Sequence, residues 1–186
     1  MQWTNNERGY GWLSIALHWI AAAIIIMMLL TGFRAEQLGE AGDRAGRAAA
    51  MGWHISIGGA LALILLIRVI SSYVQKRPTP IEQPRPLMLL AGATHHLLLI
   101  GILLQIVSGP LAVWSGGRAI NIFDLFSLPS PFAERNGGAH ELAETLHAIG
   151  RWIIIIFGSL HVLAVIRHAF GKTGVMRRML APPASN

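Results

Sequence analysis

Cysteine is absent from the 186 residues of the chain, and charged residues are scarce. Without cysteine there is no disulfide framework, thiolate zinc site, iron–sulfur cluster, thiol nucleophile or Cys-x-x-Cys-His cofactor attachment. Charged residues make up 13% of the sequence, against about 25% in soluble domains, whereas 53% of residues are hydrophobic. This composition excludes a disordered chain, a secreted disulfide scaffold and a typical cytosolic enzyme. It leaves a small integral membrane protein with eight histidines.

Four apolar segments are each long enough to cross a membrane, which takes a helix of about 20 residues. They cover approximately residues 12–33, 52–73, 87–113 and 145–170, and the first and third contain no Asp, Glu, Lys or Arg. Backbone polar groups in lipid must bond within their own segment, so each segment is expected to be a helix. We therefore predict an all-α, integral membrane four-helix bundle that contacts the lipid bilayer, with residues 1–186 forming one domain.

The net charge of +6 reflects membrane topology rather than binding to nucleic acid, because the basic residues flank the apolar segments. One side of the membrane would carry nine of them against Glu7 and Glu82: Arg8, Arg68, Lys76, Arg77, Arg85, Arg167, Lys172, Arg177 and Arg178. The other side would carry six arginines against seven acidic residues: Arg34, Arg44, Arg47, Arg118, Arg135 and Arg151. Cytoplasmic loops are enriched in Lys and Arg. The asymmetry predicts a multi-pass membrane protein with both termini in the cytoplasm.

The connections between the segments differ in character. Residues 34–51 are rich in Ala and Gly and are expected to form a short outer loop, and the proline-rich residues 76–86 predict a stiff inner connector. Residues 118–144 form the longest connection. Within it, residues 120–126 are apolar enough to predict a short helix lying at the membrane interface.

Histidine is the one chemically reactive residue type inside the segments. Six of the eight lie well within them: His18, His54, His95, His96, His147 and His161. His168 lies at the edge of the fourth segment, and His140 lies outside. A polar side chain in the bilayer is costly and indicates function by default, although a single histidine also serves as an interhelical hydrogen-bonding group. Six of them, with no acidic residue inside the segments to relay protons, favour a cofactor site.

The spacing of the histidines predicts two sites at different depths. His147 and His161 are fourteen residues apart, which places them on nearly the same helix face about 21 Å apart along the axis. The first segment runs antiparallel to the fourth, and the second runs parallel to it. His18 therefore matches the depth of His161, and His54 matches the depth of His147.

A pair of histidines suits haem better than a bare metal ion. Imidazole binds zinc, copper and iron, but zinc usually takes three or four protein ligands, and no carboxylate lies at these depths. Haem supplies four nitrogens itself and needs only two axial ligands. Gly58, Gly59 and Gly158 lie near the histidines, where they would admit a flat macrocycle or serve ordinary close packing of helices.

The sequence resembles the bacterial cytochrome b561 family and, more distantly, the di-haem cytochrome b subunits of formate dehydrogenases and Ni-Fe hydrogenases. The resemblance covers essentially the whole chain. It is carried by Leu17-His18-Trp19, Trp53-His54-Ile55-Ser56-Ile57-Gly58, His95 fourteen residues before Gly109, Leu146-His147, His161, His168 and Arg178-Met179-Leu180. The chain departs from the family pattern in span three, where His95-His96 replaces a single histidine.

The resemblance implies a location in the bacterial inner membrane and two haem b groups, ligated from the first, second and fourth spans. The matching residues are His18 and His161 for the haem on the cytoplasmic side, and His54 and His147 for the haem on the periplasmic side. A haem with two histidine ligands has no open position, which favours electron transfer over binding of oxygen.

Family relatives pass electrons to ubiquinone from superoxide or from a periplasmic redox protein, so the resemblance implies one of these oxidoreductase or carrier roles. His95 and His168 are candidate quinone contacts, and Arg151 is a candidate partner of a haem propionate. Two alternatives remain at this point: a haem-binding anchor subunit for a separate dehydrogenase, and a haem-free metal carrier.

Overall fold

The computed structural model describes residues 1–171 and 174–183. Lys172, which contributes to the charge asymmetry above, lies outside the described residues. The elements in chain order are as follows: α1 (Trp12–Glu40), α2 (Arg44–Val74), α3 (Arg85–Ser115), β1 (Ile120–Ile122), β2 (Phe126–Leu128), α4 (Gly137–Phe170) and α5 (Val175–Arg178).

Four of these helices, α1 to α4, are long and apolar enough to cross a membrane, with 29 to 34 residues each. A helix allows its backbone groups to bond inside their own segment, as lipid requires. The mostly helical chain confirms the prediction of an all-α membrane bundle. The helices extend beyond the four apolar segments, so their ends project past the hydrocarbon core.

The bundle consists of two helix pairs, α1 with α2 and α3 with α4, joined mainly where α2 meets α3. In the second pair the backbones approach closely at Gly101 and Gly150. A Cβ added at Gly101 would lie 2.9 Å from Ile154 Cγ1, and one at Gly150 would lie 2.9 Å from Leu104 Cβ. Helices in lipid associate through such small-residue contacts. A buried cluster with members on all four helices fills the middle: Ala21, Ile24, Leu65, Val69, Ile102 and Ile154.

The first connection is shorter than expected from the sequence. The prediction of a loop over residues 34–51 was wrong, because only residues 41–43 lie outside the two helices. Alanine, which dominates residues 45–50, is the strongest helix former. The turn itself uses Gly42 at φ 75°, and the Asp43 side chain then caps α2 by accepting from the Gly46 N–H at 2.8 Å.

The second long connection forms a β-hairpin, so the prediction of a short helix over residues 120–126 was wrong. Strands β1 and β2 pair antiparallel. Ile120 and Ile122 are each only 3% exposed, because they pack where Gly59 leaves room on α2. Two isoleucines that alternate with a polar residue match the period of a strand rather than that of a helix.

The chain termini gather at the opposite end of the bundle from the hairpin. The Thr79 N–H, in the α2–α3 connection, donates to the Glu7 carbonyl at 3.0 Å. Arg178 Nη1 donates to the Thr79 carbonyl at 2.7 Å, and Trp19 Nε1 donates to the Met179 carbonyl at 2.7 Å. We refer to the two ends as the terminal end and the hairpin end.

Candidate functional site

The four histidines singled out by their spacing form two close pairs. At the hairpin end, the rings of His54 on α2 and His147 on α4 have centres 6.2 Å apart. At the terminal end, the rings of His18 on α1 and His161 on α4 have centres 6.1 Å apart. Each pair joins a helix of the α1–α2 unit to α4 of the other unit.

These separations fit one iron atom between the two rings of each pair. A metal-bound imidazole nitrogen lies about 2 Å from the metal, and the ring centre lies roughly 1 Å further away, so two axial rings have centres about 6 Å apart. Both observed distances have this value. The geometry of the side chains therefore fits the haem that the sequence suggests.

At the hairpin end, hydrogen bonds fix the tautomer of His54. Its Nδ1 lies 3.1 Å from the Met28 carbonyl oxygen, which only accepts hydrogen bonds, so Nδ1 carries the proton. Thr31 Oγ1, which donates to the Met27 carbonyl at 2.8 Å, also lies 3.1 Å from this Nδ1. The ring is thereby left with an unprotonated Nε2, the form that ligates a metal.

Ser108 on α3 fixes His147 in the same way. The buried Ser108 hydroxyl donates its one proton to the Leu104 carbonyl at 2.6 Å, and its oxygen lies 3.1 Å from His147 Nδ1. That oxygen must then accept from Nδ1–H, so His147 also presents a free Nε2. Partners of this kind orient metal-ligating histidines. Sequence reasoning missed Thr31 and Ser108, whose only signal was a hydroxyl inside an apolar span.

The terminal end brings a third histidine to the pair. The ring centre of His95 on α3 lies 5.3 Å from that of His161. This separation is shorter than the roughly 6 Å that an intervening iron requires, whereas the His18–His161 separation meets it. His95 thus lies beside the pair rather than across from it.

The adjacent His96 has a different environment. Its Nδ1 lies 2.7 Å from the Gly92 carbonyl oxygen, and its Nε2 lies 3.3 Å from Arg77 Nη2. Both ring nitrogens are therefore engaged with neighbouring protein groups. This distinguishes the two members of the doublet, which the sequence does not: His95 faces His161, and His96 bonds to the α2–α3 connection.

Glycines leave space around the histidine rings. A Cβ at Gly32 would lie 3.4 Å from His54 Cε1, and one at Gly109 would lie 3.7 Å from His147 Cε1. A Cβ at Gly158, on α4 between the two pairs, would meet nothing within 4 Å. Of the two alternatives given for Gly58 and Gly59, close packing applies, because these two glycines accommodate Met28 and strand β1 respectively.

Arg151 lies one turn after His147 and has an incomplete set of partners. Its Nη1 donates to Glu36 Oε2 at 3.0 Å, and its guanidinium lies 5.8 Å from the centre of the Phe33 ring. Its Nε is buried with no hydrogen-bond partner among the described residues. An unpaired buried donor is costly, and an acidic group on a bound cofactor would satisfy it.

His168 lies two turns beyond His161 on α4 and is half-buried. Residues 1–171 and 174–183 contain no group of three or more His, Cys, Asp or Glu side chains arranged to hold a metal ion. The site therefore consists of paired imidazoles, with His95 and Arg151 each beside one pair.

A helical membrane bundle with paired histidines inside it is the architecture of a membrane cytochrome b. The comparisons with known proteins agree. The family model for prokaryotic cytochrome b561 matches residues 9–182. Cytochrome b561 homolog 2 of Escherichia coli (strain K12) is 30% identical over 188 residues, which cover all of this chain and 98% of the relative. The chain belongs to the prokaryotic cytochrome b561 family.

Family membership assigns the chain electron transfer across the membrane by means of haem b. The resemblance stated from the sequence is confirmed, and so is the expectation of a multi-pass protein of the inner membrane. This assignment replaces the hypothesis of a haem-free metal carrier, which was considered from the sequence.

Proposed function

We propose that the chain transfers electrons between the two faces of the membrane through two haem b groups, one held by His54 and His147 and the other by His18 and His161. The ring separations of 6.2 and 6.1 Å carry this proposal. The two pairs lie fourteen residues apart along α4, about 21 Å. Each haem supplies reversible one-electron redox chemistry when bound. The protein supplies axial ligands, apolar surroundings and fixed ring orientations.

The terminal end faces the cytoplasm in this proposal, and the hairpin end faces the periplasm. The support is the distribution of Lys and Arg, since basic residues accumulate on the cytoplasmic side. Their excess lies with the termini and the α2–α3 connection. His18 and His161 then hold the cytoplasmic-side haem, whereas His54 and His147 hold the periplasmic-side haem.

Arg151 serves the haem at the hairpin end by binding a propionate. The unpaired, buried Nε supports this role, because a carboxylate would accept from it. The ion pair with Glu36 holds the guanidinium against α1 and limits its motion. Arginine presents its donors as a rigid fork that matches a carboxylate.

Electrons enter at the hairpin end, from superoxide or from a periplasmic redox protein, and leave to ubiquinone near the terminal end. Arg118 and Arg135, both exposed at the hairpin end, support attraction of an anionic donor. His95 supports the quinone site, since the residue is exposed and its ring lies beside that of His161. His168, further along the same helix, is the second candidate contact for the quinone.

Haem stoichiometry tests the proposal. We expect two b-type haems per purified chain by pyridine haemochrome assay, one haem in His54→Ala and one in His18→Ala. His140→Ala is the matched control, because His140 bonds to the Ala112 carbonyl and lies outside both pairs. One haem in the unaltered chain, or two haems in either ligand variant, would refute the assignment of the pairs.

A further inference from the structure

Helix α2 carries a cation inside the membrane that has no acidic partner among the described residues. Arg68 is half-buried, and its guanidinium donates to the Ser72 hydroxyl one turn further along the same helix. Among the described residues, no carboxylate lies within ion-pair distance of it; the ion pairs found involve Lys76, His140 and Arg151 instead. A charged side chain in the bilayer is costly unless it meets a partner.

The position of Arg68 along α2 matches the position of His161 along α4. His54 and His147 form one pair, and the two helices run parallel from there toward the terminal end. Arg68 follows His54 by fourteen residues, as His161 follows His147. Fourteen residues make nearly four full turns, so Arg68 lies on nearly the same face of α2 as His54 and at the depth of His161.

The surroundings of Arg68 agree with this register. Arg68 lies close enough to His18 and to His95 to act electrostatically on both, and it also interacts with Tyr10 near the start of α1. None of these three residues, His18, His95 and Tyr10, carries a carboxylate. The guanidinium is thus a positive charge within electrostatic range of the terminal-end histidines, and no carboxylate among the described residues forms an ion pair with it.

We propose that Arg68 binds a propionate carboxylate of the haem held by His18 and His161, and so positions that haem. This inference rests on the proposed haem pairs. The chemistry follows from complementarity: a buried guanidinium needs an anion, and its planar fork binds a carboxylate in two-point fashion. The cation also stabilises the reduced haem relative to the oxidised haem, because reduction adds one negative charge to the centre.

The test is a redox titration of Arg68→Gln and Arg68→Lys, each in the full chain and in the His54→Ala background that retains only the terminal-end haem. Redox-difference infrared spectra follow the propionate carboxylate. Arg77→Gln is the matched control. It also removes a cation from the terminal end, but Arg77 bonds to His96 and not to a histidine of the His18–His161 pair. We expect Arg68→Gln to lower the midpoint potential of one haem and to shift its carboxylate band. Arg68→Lys should recover most of the potential, and Arg77→Gln should change neither.

The outcomes separate this inference from the proposal on which it rests. Unchanged potentials and an unchanged carboxylate band in Arg68→Gln would overturn the role of Arg68 while leaving both haems in place. An equal shift in Arg77→Gln would also overturn it, because the effect would then be one of general charge. Arg68→Gln could also lose the terminal-end haem. If Arg68→Lys then keeps that haem, the result supports the role of Arg68. If both Arg68 variants lose the haem while Arg77→Gln keeps it, the result supports a requirement for the planar guanidinium of arginine. A His54→Ala chain without any haem would instead contradict the assignment of the pairs.

Discussion

Replacing Ser108 by alanine removes the group that accepts the His147 Nδ1 proton. Iron(III) withdraws more electron density from a bound imidazole than iron(II) does, so the Nδ1–H bond to Ser108 is stronger in the oxidised state. Its loss should therefore raise the midpoint potential of the hairpin-end haem and leave the terminal-end haem unchanged.

The size of this shift follows from the observed hydrogen bond. The Ser108 oxygen and His147 Nδ1 are 3.1 Å apart, an ordinary neutral hydrogen bond. Such a bond contributes about 0.5–1.5 kcal/mol. About half of that is taken to differ between the two oxidation states. Because about 1.4 kcal/mol corresponds to roughly 59 mV for one electron, the expected rise is on the order of 10–30 mV.

Spectroelectrochemical titration measures this shift, and Ser115→Ala is a closely matched control. Ser115 is also fully buried, donates to the carbonyl four residues earlier on the same helix and lies near a histidine Nδ1, that of His140. Equal shifts in the two variants, or a lower potential in Ser108→Ala, would refute the reasoning. Loss of the hairpin-end haem in Ser115→Ala would also refute it.

Three further substitutions test other parts of the account. His95→Phe should slow quinone reduction several-fold while both haems stay bound, and His96→Phe should not; stopped-flow oxidation of the reduced protein by quinone compares them. Gly59→Val should displace the hairpin, because even the first added carbon would lie about 3.1 Å from an isoleucine side chain of β1, and limited proteolysis of that connection should become faster. Glu36→Gln removes a partly exposed partner of Arg151 and should cost less than about 1 kcal/mol of unfolding free energy, measured by thermal unfolding, with no loss of haem.

The sequence predicts the helices well, because the need to satisfy backbone groups in lipid leaves one solution for a long apolar segment. It also predicts the two histidine pairs. A fourteen-residue step has a defined direction and length on a straight helix, and His147 and His161 keep that geometry here. The connections were harder to predict: the alternation of Ile120 and Ile122 is a strand signal only three residues long.

The partners of the histidines lay beyond the reach of the sequence. A serine such as Ser108 in an apolar span gives no indication of which helix it faces, since that depends on helix rotation within the bundle. The doublet in span three raises the same problem, because His95 and His96 point 100° apart around α3. Arg68 was interpreted from the sequence as part of the charge asymmetry alone. Its register with His161 becomes meaningful once His54 on α2 is seen next to His147 on α4.

The most direct test of the central claim is the number of haems in the purified chain, determined from a reduced-minus-oxidised spectrum together with a pyridine haemochrome assay. The account predicts two b-type haems, falling to one in His54→Ala and to one in His18→Ala. A single haem in the unaltered chain, or two haems in either variant, would contradict it.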